Sequence, residues 1–142
     1  MTRADYIASL CARLDQAVRV PFEPVSVGDW SPKVAECHQN ADRWVEAHPD
    51  FAVVRGWVTY ASFGELGCRL TAHSVVRRGD MLLDITPLED DAARRGMHFL
   101  THDGSEELFS AVKAGSIFID CLTCEADALD NWSPEMPDDE DE

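Results

Sequence analysis

No stretch of the 142-residue chain approaches the ~18 consecutive apolar residues of a membrane-spanning helix. The opening residues, MTRADYIASLCARLDQAVRV, also lack the uninterrupted apolar run of about 7–15 residues that marks a secretory signal. The expectation is a cytoplasmic protein with reduced thiols and no membrane partner. Basic residues are scarce, 12 against 27 acidic, for a formal charge of −15. Such a surface repels phosphate backbones and anionic lipid, so nucleic acid is not an expected partner. Glycine (8) and proline (7) are too few for a collagen-like or low-complexity chain. Five cysteines, an odd number at irregular spacings, give no disulfide framework, and free thiols are the default.

What the chain does contain is 45% apolar residues, enough for one ordinary hydrophobic core. The acidity is concentrated at the end. Residues 125–142 hold nine acidic and no basic side chains, so the body carries about −6. Self-repulsion and little apolar surface predict a disordered tail over 125–142 behind a single domain over 1–124.

Apolar periodicity predicts a helix over 3–19, with Tyr6, Ile7, Leu10, Leu14, Ala17 and Val18 on one stripe and Cys11 a small core residue at its flank. Pro21 and Pro24 then impose extended chain to about Trp30. A second helix is expected from about Cys37 to Ala47, ended by Pro49. From there the pattern turns to β: 51–60, 68–77, 81–86 and a short strand near 97–100, followed by a helix over about 105–114 and an edge strand in SIFIDCL. Helices followed by mostly antiparallel strands make the fold class α+β, with a cysteine-bearing helix packed on the sheet.

Chemistry concentrates in three residues. Cys37 falls at a helix start, where unpaired N–H groups and the positive end of the helix dipole favour a thiolate and an adjacent oxyanion. His73 and Asp84 lie on strands joined by a very short turn. Whether the loop is Arg78-Gly79 or Gly79-Asp80, parity puts both on one sheet face, opposite or diagonal to each other. That face also holds Arg69, Thr71, Val75, Leu82 and Thr86, a mixed set that the cysteine-bearing helix could cover. Cys68, Leu70, Ala72, Val76, Met81, Leu83 and Ile85 form the core face. A carboxylate beside His73 would fix its tautomer and leave the other nitrogen to take a proton from Cys37.

A cysteine at a helix start, a histidine on a following strand and an aspartate on the next, in that order, resembles the core of papain-like cysteine enzymes. The stretch from His73 to Asp84-Ile85-Thr86-Pro87 is closer still to the transglutaminase-like branch. The likeness spans about residues 30–87. It implies Cys37 as nucleophile, His73 as general base and then acid, and Asp84 as orienter, in acyl transfer from an amide or peptide-type substrate to water or an amine. No cofactor and no metal is implied. The pattern departs in two places: His38 follows the cysteine where an aromatic or small residue is usual, and no upstream glutamine is in view, so that Trp30, Lys33 or backbone alone would serve the oxyanion.

Other residues support more than one reading. Asn40, one turn after Cys37, can orient the site or merely tolerate the first helical turn. Arg55 can bind a substrate carboxylate or face solvent. Trp30, Asn40 and Arg55 are the substrate-binding candidates. His98, His102, Cys121 and Cys124 form the donor set of a structural zinc site, though in an unusual order. A non-catalytic binding domain on the same scaffold is the alternative to an enzyme.

Overall fold

The computed structural model describes residues 2–59, 68–115 and 118–121. The acidic segment over 125–142 lies outside them. The chain order is α1 (Arg3–Ala12), a 3-10 turn (Leu14–Gln16), α2 (Cys37–Ala47), β1 (Ala52–Thr59), β2 (Cys68–Arg78) and β3 (Met81–Leu83). A second 3-10 turn (Asp91–Gly96), β4 (His98–Thr101), α3 (Glu106–Gly115) and β5 (Phe118–Cys121) complete it. The strands form an antiparallel sheet in the order β3-β2-β1-β4, with β5 on β2 as well. The fold is thus a mixed α+β architecture, and no helix of the described residues is long and apolar enough to cross a membrane.

Thr2 caps α1 through a reciprocal capping box with Asp5, and Tyr6 and Leu10 point inward. The helix stops at Ala12, well short of the expected 19. Leu14 still reaches the core from the 3-10 turn, but Val18 is exposed and extended, exchanging two backbone hydrogen bonds with Phe99 (2.9 and 2.7 Å). An antiparallel bridge to β4 cannot be made from helical backbone, so tertiary pairing ends the helix where the apolar stripe does not. Cys11 differs from expectation too: it is disulfide-bonded, whereas Cys37 is free.

The β2–β3 connection is the two-residue loop Gly79-Asp80, since Arg78 pairs with Met81. Gly79 alone of the two has a positive φ (60°), as a Gly-first type II′ turn requires. Of the two expected registers this is the diagonal one. β3 ends at Leu83 rather than 86 because the backbone of Asp84 changes partner: its N–H donates to the Pro21 carbonyl (2.9 Å) and its own carbonyl accepts from Glu23 (3.0 Å). β3 pairs with residues 76–78 of β2 and β5 with 68–71, so among the described residues no strand pairs with the segment around His73 on that side.

Both sheet faces are buried. On one, Trp57, Leu70, Ala72, Leu100, Phe109 and Val112 pack with Tyr6, Leu10 and Leu14 under α1 and α3, and Val76 packs with Ala41 of α2 and Ile85. On the other, Val54, Val58, Val75 and Phe99 pack with Val20 and Met97. The face of His73 is therefore a second apolar core, and α2 packs against the opposite one; the expectation of a mixed face covered by α2 is not met. Segment 18–22 and the stretch around Leu88 supply that cover, which helical patterning could not reveal.

Candidate functional site

The start of α2 meets β2 at His73. A turn leads into the helix: the Glu36 N–H donates to the Lys33 carbonyl (3.3 Å), with Ala35 at φ 66°. A residue with a β-carbon in that left-handed region is strained by about 1–2 kcal/mol, and such strain persists where surrounding contacts hold it. Asn40 holds it. Buried to 1% exposure, it accepts from the Lys33 N–H (3.1 Å) and donates to the Lys33 carbonyl (2.8 Å) and to the Thr86 hydroxyl (2.9 Å). Asn40 thus ties the pre-helix turn to the strand extension carrying Asp84. Glu36, the N-cap residue, makes no side-chain cap hydrogen bond, so it leaves the N–H groups of the first turn of α2 uncapped.

Cys37, the first residue of α2, is half-buried and lies against the imidazoles of both His73 and His38. Burial pushes its thiol up. Hydrogen bonding to His38 and His73, with their positive charge, outweighs that and brings it down to about 6. His73 responds in the opposite sense. Burial lowers its affinity for a proton, but hydrogen bonds to Asp84 and Cys37 and their negative charge raise it to about 9. A thiolate beside an imidazolium is the state favoured at neutral pH.

Behind the ring, His73 Nε2 donates to Asp84 Oδ2 at 3.0 Å, which leaves Nδ1 as the nitrogen for sulfur. Asp84 is fully buried. Its other partners are the Thr86 N–H at 3.1 Å and Arg94 Nη1 at 3.0 Å. Burial raises its carboxyl, but His73, Thr86 and Arg94 together hold it below the usual carboxylate range. Arg94 also donates to the Thr86 carbonyl (2.9 Å) and lies over the Phe22 ring (4.3 Å). The edge of Phe99 closes the far side of His73, with ring centroids 6.4 Å apart. Gly56, paired with His73 across the ladder, makes that possible: a β-carbon there would lie 2.4 Å from the Phe99 ring and from the Leu100 carbonyl oxygen.

The second imidazole has a chain of its own on the opposite side of β2. His38 Nδ1 shares a 2.6 Å hydrogen bond with the buried Ser74 hydroxyl, which accepts from Arg55 Nη1 at 2.9 Å. Arg55 in turn pairs with Asp42 (2.9 Å) and Glu106 (3.2 Å). Arg55 is therefore committed to side chains of the protein.

A cavity of about 240 Å³ is lined by Val34, Ala35, Cys37, His73, Thr86, Pro87, Leu88 and Glu89. The structure thus brings Cys37, His73 and Asp84 together. Of the substrate-binding candidates, Asn40 is a buried brace, Arg55 lies in the His38 chain, and Trp30 sits under the Arg43 guanidinium (5.0 Å) away from the cavity lining.

Arg94, His38, Ser74 and the αL turn at Ala35 were not visible as site residues in the sequence. Arg94 lies in a 3-10 turn of ordinary composition, and nothing in its spacing from Asp84 signals the pairing. For a metal, the described residues hold no group of three or more His, Cys, Asp or Glu arranged around one point. His102 has both ring nitrogens engaged, by Tyr6 and the Ser105 carbonyl, and the Cys121 and Cys124 side chains lie outside the described residues. Compared with known protein families, curated proteins and solved structures, the chain matches none.

Proposed function

We propose that the protein is a cysteine-dependent hydrolase or acyltransferase of the papain-like, transglutaminase-like type, acting on an amide or peptide-type substrate. The observation that carries this reading is the convergence of Cys37 and His73 on one cavity, with the ring bonded at 3.0 Å to a buried Asp84; the thiol is correspondingly lowered and the imidazole raised. A buried ion pair of this kind has little value as a stabilising device, because desolvation offsets most of the attraction. It is what a sulfur nucleophile needs at neutral pH.

In this mechanism the Cys37 thiolate attacks the substrate carbonyl carbon, forming a C–S bond while the carbonyl π electrons move onto oxygen. The N–H groups at the start of α2, which carries Cys37 as its first residue, would serve as donors for that oxyanion. The His73 imidazolium gives its proton to the leaving amine as the C–N bond breaks, leaving a thioester on Cys37. Neutral His73 then takes a proton from water or a second amine, which attacks the thioester. Collapse of that intermediate breaks the C–S bond and regenerates the thiolate–imidazolium pair. Asp84 stays ionised throughout and holds the ring.

The cavity of about 240 Å³ is smaller than typical ligand sites and admits a small acyl group or a single side chain. Val34, Pro87 and Leu88 favour an apolar portion of the substrate.

The test is labelling by a thiol-directed electrophile between pH 5 and 8, read by mass at the Cys37 peptide. Fast labelling that persists down to about pH 6 supports the reading. A rate that rises only above pH 8, as for an ordinary thiol near ~8.5, would falsify it and leave a binding domain on the same scaffold.

A further inference from the structure

A second cleft, of about 460 Å³, lies next to Arg94 and is lined by Arg19, Val20, Pro21, Arg94, Arg95 and Met97. Three of the chain's twelve basic residues therefore line one concavity of a protein whose formal charge is −15. Arg19 and Arg95 are exposed, and among the described residues neither has an ion-pair partner. Arg94 is held by Asp84, the Thr86 carbonyl and the Phe22 ring, so its orientation is fixed before anything binds. Val20 and Met97, both nearly buried, supply an apolar floor.

Unpaired cations clustered in one concavity repel one another and favour an anion between them. Guanidinium groups match the oxygen spacing of phosphate and carboxylate, and a cleft focuses their field. The volume falls within the range of small-molecule sites. From this we infer that the cleft binds a small, doubly charged anion with an apolar body, of the phosphate monoester type. Arg19 and Arg95 supply the charge for the anionic head, and Val20, Pro21 and Met97 contact the body. Because Arg94 lines this cleft and holds Asp84, the site adjoins the His73 side of the thiol centre, yet binding there does not depend on acyl chemistry.

The test is titration of the full chain with phenyl phosphate and, separately, with inorganic phosphate, followed by calorimetry at constant ionic strength set with chloride. Saturable binding is expected for both, tighter for phenyl phosphate. It should weaken at least tenfold in a double variant, Arg19→Ser with Arg95→Ser, whose exposed positions leave the core untouched. The Arg19→Lys, Arg95→Lys variant, which keeps the charge and loses the planar fork, should fall between. Equal affinity in the wild type and the double-serine variant would overturn the proposal, as would heats that chloride alone reproduces. Labelling of Cys37 is a separate readout, so failure here leaves the proposed acyl chemistry standing, and the reverse holds too.

Discussion

Two imidazoles, His73 on β2 and His102 just after β4, are bonded through both ring nitrogens but end in different chemistry. His102 Nε2 donates to the Ser105 carbonyl (2.7 Å), and its Nδ1 accepts from the Tyr6 hydroxyl (2.6 Å), which accepts from Trp57 Nε1 (2.8 Å). None of the ring's partners in that chain is a carboxylate or a thiol, each donor meets one acceptor, and the result ties α1 to β1 and to the start of α3. His73 is bounded instead by a carboxylate and a thiol, each able to carry charge. Satisfied hydrogen bonds fix a structure. A ring between two ionisable groups stores a proton that can be moved. The difference lies in the partners, since both rings are pinned.

The sharpest way to separate the two chains is to remove Asp84. Asp84→Ala leaves the Arg94 and His73 charges buried without their carboxylate and should cost about 3–5 kcal/mol in urea unfolding. It should also return the Cys37 thiol toward its ordinary range. Should stability be unchanged, the carboxylate is not holding the two cations.

His73→Gln removes the proton store. With the thiol moving from about 6 toward ~8.5, the thiolate fraction at pH 7 should fall by up to about 30-fold, measured by thiolate absorbance. His38 remains beside the sulfur and sets how far short of that limit the variant stops. Tyr6→Phe is the counterpart in the His102 chain. It strands Trp57 Nε1 and His102 Nδ1, at a cost of about 1–3 kcal/mol, while the Cys37 titration stays where it is. A shift of that titration would show that the two chains are coupled and undo the comparison.

In the wild type, pH separates them without mutation. His73 is raised, so its contribution to stability is full below its unfolded value near ~6.5 and is lost as pH climbs through about 9. Cys37 is lowered, so its contribution is present above an unfolded value near ~8.5 and is lost as pH falls through about 6. The two titrate as a pair, and the ion pair occupies the window between about 6 and about 9. Labelling at Cys37 should hold up across that window and drop below it. The smallest effect is expected at Ala35→Gly. Relief of the positive φ should stabilise the fold by about 1 kcal/mol or less, since glycine also loses more entropy on folding. Thermal unfolding would read it.

The helix from Cys37 to Ala47 was legible because Ala41, Trp44 and Val45 repeat at helical spacing between prolines, and those residues do pack inward. The hairpin was legible in parity: side-chain alternation has a period of two, so both expected registers put His73 and Asp84 on one face. The face itself was misread, because Val75 and Leu82 are balanced in the sequence by Arg69, Thr71 and Thr86, whereas the cover comes from distant residues such as Val20 and Met97. The end of α1 and the short β3 were hidden for the same reason, since each is set by a backbone bridge to a remote segment, Val18 to Phe99 and Asp84 to residues 21–23.

Local patterning by itself determined the α+β class, the start of the cysteine-bearing helix and the same-face relation of imidazole and carboxyl, because these follow from helical and strand periods within a few residues. Only tertiary packing decided that the helix would lie on the far face and still present its first residue to His73. It also decided that Arg94 would clamp Asp84 and that His38 would flank the sulfur. Long-range contacts of this kind depend on which segments pair across space, and no period in the chain encodes that.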